Sequence, residues 1–76
     1  SLAADEYFDY SDLEAVKLQK AIHTLPPKQQ AAFNLRYYDD LNYDEIADIL
    51  GSSPQSVKVN YNIAKQKIID YMNRED

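Results

Sequence analysis

The sequence predicts an all-α chain, a four-helix domain that ends in a helix-turn-helix and has no winged element. Three observations predict it. Apolar residues recur at spacings of three and four along most of the chain, the period of one helix face. Capping residues and prolines mark separate helix starts near Ser11, Pro27, Asn42 and Ser53. One Gly and three Pro leave too few turn formers for an all-β chain.

Taken in order, residues 1–10 are acidic and aromatic without a sustained period, and read as a linker or flexible lead-in to a domain over residues 11–76. Ser11 is expected to cap the first helix, with Glu14 three positions on completing a capping box. From Asp12 to about Thr24, Leu18, Ala21, Ile22 and Leu25 form one apolar stripe. Pro26 and Pro27 end that helix and open the next, because proline fits a first turn. This second helix, Pro27 to Tyr37, is expected to turn Ala32, Phe33, Leu35 and Tyr37 inward. Asp39 and Asp40 break it. Asn42 and Glu45 make a second capping box, followed by a short helix from Tyr43 to Leu50 with Ile46, Ala47, Ile49 and Leu50 on its buried face. Gly51, the only glycine, falls where a helix end favours a left-handed residue. Ser53 caps the last helix and Pro54 occupies its first position. Along it Val57, Tyr61, Ala64, Ile68 and Tyr71 or Met72 repeat as an inward stripe.

A length of 76 residues allows one small domain, and the absence of cysteine removes disulfides and thiolate metal sites. No apolar run approaches a membrane span and no signal peptide is evident, so a cytoplasmic protein without a membrane partner is expected. The chain opens on Ser1 rather than Met, and a fragment of a longer protein is expected. A net charge of −5 argues against a nucleic-acid partner, but the charge is unevenly spread. Residues 1–14 carry Asp5, Glu6, Asp9, Asp12 and Glu14 with no base, whereas residues 53–69 carry Lys58, Lys65 and Lys67 with no acid.

A helix-turn-helix needs a small residue where its helices cross, a residue tolerant of positive φ in the turn, and an apolar anchor facing back from the second helix. Ala47, Gly51 and Val57 supply these in register. The last helix would then enter the major groove by its N-terminal half. Gln55, Ser56, Lys58, Val59 and Asn62 form the expected reading face. Gln and Asn can bond adenine at two edges, Lys can reach guanine, and Val can pack on a thymine methyl. Ser53, the free amides of the first turn and Lys65 suit phosphates, and Tyr43 could touch one. Amphipathic four-helix chains are also common as protein-binding modules, and spacing leaves that alternative open.

The strings Ala21-Ile22-x-x-Leu25-Pro26-Pro27-Lys28-Gln29, Phe33-x-Leu35-Arg36-Tyr37, Leu41-x-Tyr43-x-Glu45-Ile46-Ala47-x-Ile49-Leu50-Gly51 and Ser56-Val57-Lys58 together resemble region 4 of the sigma-70 family, above all its extracytoplasmic-function type. The resemblance runs from about Leu18 to Ile68. It implies a monomeric part of a bacterial sigma factor that reads the promoter −35 element and docks on the flap of the RNA polymerase β subunit, with an anti-sigma factor as a further partner. It carries the reading role onto Lys58, Val59 and Asn62, with Gln55 and Ser56 near the helix start, and a structural internal pair onto Arg36 and Glu45. The chain departs from the family at several places. Val59-Asn60 stands where a Ser-Arg is usual, Ile63-Ala64-Lys65 where an Arg-Ala-Arg is usual, and Asp39-Asp40 precedes Leu41 where a Gly is common. Fewer phosphate contacts imply weak binding by the isolated domain. A response-regulator DNA-binding domain shares Glu-Ile-Ala and Val-Lys but fits the double proline and Leu-Arg-Tyr less well. A protein-interaction module of the same fold, without DNA reading, is the alternative from another class.

Other residues carry less. His23, the only histidine, cannot build a multi-histidine site and reads as an ordinary helix-end residue. Asp39, Asp40, Asp44, Glu45 and Asp48 match no calcium loop, and no metal or cofactor is expected. Of the seven tyrosines, Tyr61, Tyr71 and Tyr37 fall on the core stripes, while Tyr38 and Tyr43 are expected at the surface edge. No nucleophile, base and orienting group stand at useful spacing, so no enzyme is expected.

Overall fold

The computed structural model describes residues 10–74, with side chains from Leu13 onward. Four helices follow in order: α1 (Tyr10–His23), α2 (Pro27–Tyr37), α3 (Tyr43–Leu50) and α4 (Pro54–Asn73). No strand occurs among the described residues. The lead-in expected over residues 1–10 lies outside the described residues except for Tyr10, which is already helical. Ser11 is therefore inside α1 rather than capping it. A cap contributes only about 1 kcal/mol, a weak constraint on where a helix begins.

The connections show why the helices stop where they do. At the end of α1 the Thr24 hydroxyl donates to the Ala21 carbonyl at 2.6 Å, and the Leu25 amide donates to Ile22 at 3.0 Å. Pro26, extended at ψ 154°, precedes α2 without any side-chain cap, and Pro27 at the first position has no N–H to satisfy. Beyond α2 the chain reverses through Asp40 at φ 54°. Asp tolerates this left-handed region better than most residues. Asn42 then closes the expected capping box: its side chain accepts from the Glu45 amide at 2.8 Å, and its own amide donates to Glu45 Oε1 at 3.1 Å. Gly51 takes φ 64°, and both it and Ser52 donate their amides to Ala47, which ends α3. Ser53 caps α4 by accepting from the Ser56 amide at 3.1 Å.

The longest helix, α4, packs on each of the other three, while α3 meets only α2 and α4. Two buried clusters result. Ala21, Ile22, Leu25, Phe33, Ala64 and Ile68 join α1, α2 and the second half of α4. Ala32, Ile46, Ala47 and Val57 join α2, α3 and the first half of α4. Tyr61 packs against both clusters, stacked on Phe33 at 5.9 Å and tilted against Tyr43 at 6.2 Å. Lys17 Nζ reaches the Arg74 carbonyl at 3.0 Å and ties α1 to the end of α4.

Three expected core residues are at the surface. Tyr37 is 55% exposed, Ile49 60% and Leu50 38%. Because α3 has only α2 and α4 beside it, it buries little more than Ile46 and Ala47. Tyr37 ends α2, stacked on Phe33 at 5.1 Å and meeting the exposed Tyr38 ring edge-on at 4.9 Å, with no further helix among the described residues to cover it.

Candidate nucleic-acid interface

The turn from Gly51 to Ser53 sets α4 across α3, with Ala47 and Val57 buried together at the crossing. A larger residue than Ala47 would hold the two helices apart. The inward stripe of α4 therefore fixes which of its residues face out. Gln55, Lys58, Val59 and Asn62 are all exposed on the first three turns. The side chains of Gln55, Lys58 and Asn62 have no hydrogen-bond partner among the described residues. They are thus free to bond base edges, which any internal bond would first have to surrender.

Ser56 is exposed but lies on a different flank. Its carbonyl accepts from the Asn60 amide group at 3.1 Å, and with Asn60, Lys28 and Ser52 it lines a small cleft of about 260 Å³ between the start of α2 and the turn. Ser53 is occupied as the cap, and Pro54 has no N–H, so the first turn offers chiefly the Gln55 amide to a phosphate. Lys65 stands two turns beyond Lys58, at the rim of an apolar groove that Leu18, Phe33, Tyr37, Ile68 and Met72 also line. Tyr43 sits on α3, not on α4; its ring is half-buried under the Arg36 guanidinium at 5.5 Å.

The Arg36–Glu45 pair does not form. Arg36 donates to the Leu41 carbonyl at 3.1 Å and covers Tyr43, while Glu45 is spent on the Asn42 cap. Both residues remain structural, through different partners. Sequence reasoning missed Ile63 and Gln66, which extend the exposed side of α4. Their spacing of four from Val59 and from Asn62 was the available signal. Gln66 donates to Asp70 at 3.1 Å, so the acid-free stretch and the unbonded side chains end together.

Electrostatically the two helices differ. Over residues 53–69 the charges are Lys58, Lys65 and Lys67, and Lys67 is held by Gln29 on α2 at 3.0 Å. On α3, Asp44, Glu45 and Asp48 are exposed and would repel a phosphate backbone. Among the described residues no helix is long and apolar enough to cross a membrane.

No curated protein and no solved structure matches the chain. The family model for sigma-70, region 4 matches residues 15–68. That stretch takes in α2, α3, the turn and the whole outward face of α4 just described. The chain belongs to the sigma-70 region 4 family, the promoter-binding part of a sigma factor and a regulatory DNA-binding family rather than an enzyme family.

Proposed function

We propose that this domain reads the promoter −35 element with the first half of α4 and docks through the groove between α1, α2 and α4 on the flap of the RNA polymerase β subunit. The observation that carries the first part is the outward row of Gln55, Lys58, Val59 and Asn62, exposed and unbonded on a helix whose inward stripe is fixed by Val57 and Ala64. The second part rests on the open groove of about 500 Å³, whose lining is mostly apolar. An apolar helix from a partner fits such a surface. The domain acts as a monomer within a bacterial, cytoplasmic sigma factor of the extracytoplasmic-function type, and the same groove suits an anti-sigma factor.

Few lysines and the acids of α3 make the isolated domain a weak DNA binder. In a full sigma factor the polymerase and a second promoter-reading domain raise the effective concentration, so weak intrinsic binding suffices. A protein-only module of this fold is the second reading, favoured by the exposed Asp44, Glu45 and Asp48.

An NMR titration of the labelled domain at low salt separates them. Shifts over about residues 53–65 with duplex DNA, and over Leu18, Tyr37 and Met72 with a flap fragment, are expected. Shifts with the flap alone favour the protein-only module, and silence with both sinks the proposal. In the parent sigma factor, Lys58→Ala and Asn62→Ala are expected to leave the melting temperature unchanged and to lower promoter-dependent transcription several-fold. Full activity of both variants would remove the reading role from this face.

A further inference from the structure

We propose that Val59 and Ile63 pack on thymine methyl groups, so that this domain reads an A·T-rich duplex in preference to a G·C-rich one; the inference rests on the reading of α4 as the groove-entering helix.

Isolated apolar residues on a surface need no explanation. Val59 and Ile63 are not isolated: they stand four residues apart on one helix, adjacent on its surface, 47% and 41% exposed. Both are β-branched, which lowers helix propensity, and about half of each side chain stays open to solvent on the outward side of α4. Folding leaves that open apolar surface without a partner. On a helix in the major groove they find an apolar partner, because the thymine C5 methyl is the one methyl group that base edges present there. From Gln55 to Ile63 the helix rises roughly 12 Å, the rise of about three to four base pairs.

The polar neighbours agree. Gln55 and Asn62, both free of internal bonds, are the types that bond adenine at two edges. Arginine, the commonest guanine reader, is absent from this face. Of the two arginines in the described chain, Arg36 is held by Leu41 and Tyr43, and Arg74 lies over the Tyr71 ring at 4.4 Å beyond the end of α4. Of the exposed lysines Lys58 and Lys65 on one side of α4, only Lys58 lies in the N-terminal half that would enter the groove. Adenine readers beside methyl-packing residues specify A·T and T·A pairs, with at most one guanine.

The test uses the 76-residue chain at low salt, with fluorescence anisotropy on three duplexes. One is A·T-rich; one is identical but carries uracil for every thymine, which removes only the C5 methyl; one is G·C-rich. The wild-type chain is expected to lose about fourfold in affinity per contacted methyl on the uracil duplex, and to bind the G·C-rich duplex more weakly than the A·T-rich one. In the double variant Val59→Ala, Ile63→Ala the thymine and uracil duplexes should bind within twofold of each other, with an unchanged salt slope. Both positions are exposed, so circular dichroism should show wild-type helix content in that variant. Equal wild-type affinity for thymine and uracil duplexes, or a preference for G·C, overturns this inference and leaves the DNA-reading proposal standing. Absence of binding to all three duplexes by a folded chain overturns both.

Discussion

The two buried clusters are built differently. Beneath the helix-turn-helix lie Ala32, Ile46, Ala47 and Val57, small or β-branched side chains that are almost wholly enclosed. Between α1, α2 and the second half of α4 the small Ala21 and Ala64 sit with the larger Phe33, Ile22, Leu25 and Ile68, and an apolar groove stays open beside them. Small residues let α3 and α4 approach closely, and stiff side chains leave few alternative packings. That is what a reading helix needs, because its outward residues are useful only if its rotation is fixed. The other half is equally buried at its centre but leaves a groove open at its edge, the surface that the proposed flap contact would use. Tyr61 touches both clusters and makes them one core.

The sharpest way to break this comparison is to truncate one isoleucine in each cluster and follow urea unfolding. Ile46→Ala leaves a cavity with no route to solvent, and a cost toward the upper end of about 2–5 kcal/mol is expected. Ile68→Ala opens onto the groove, where neighbours can relax, and a cost toward the lower end of about 2–5 kcal/mol is expected. A larger loss at Ile68 would contradict the division. Gly51→Ala comes next. Nothing lies within 4 Å of the Cβ it would add, so only the left-handed backbone opposes it, at about 1–2 kcal/mol. Gly51→Asn should cost less, since Asn tolerates that region; equal losses would point to a role other than φ. Asn42→Ala is the mildest of the set. It removes one half of the capping box and should lower stability by about 1 kcal/mol, with amide exchange accelerating first at Glu45. An Asn42→Ala variant as stable as wild type would mean that packing of Ile46 alone holds the start of α3.

The helix-turn-helix was readable in the sequence because its signals are local. Asn42 with Glu45, Gly51, and Ser53 with Pro54 each act within one turn of chain, and all behave as their chemistry predicts. The inward stripe of α4 was equally legible, since a period of three and four over 20 residues leaves little freedom in rotation. Ser11 shows the limit of the same logic: a capping pattern at a helix start competes only weakly with continued helix. Ile49, Leu50 and Tyr37 show another. Their apolarity suggested burial, but burial depends on which helices stand beside them, and no window of sequence contains that.

The candidate site divides along the same line. Residue type and spacing were enough to mark Gln55, Lys58, Val59 and Asn62, because a fixed inward stripe determines its opposite face. Residue type alone did not tell that Asn60 donates back to Ser56, that Ser53 is used up as a cap, that Lys65 borders a groove, or that Arg36 and Glu45 take separate partners. Four helices, all of their ends but the start of α1, and the family of the chain were legible from the residues alone, since helix period and capping act over one or two turns. Which polar groups are spent on internal bonds and which apolar residues stay exposed was set by how the helices pack. Those outcomes depend on contacts between helices distant in sequence, such as Lys67 with Gln29 and Tyr61 with Phe33.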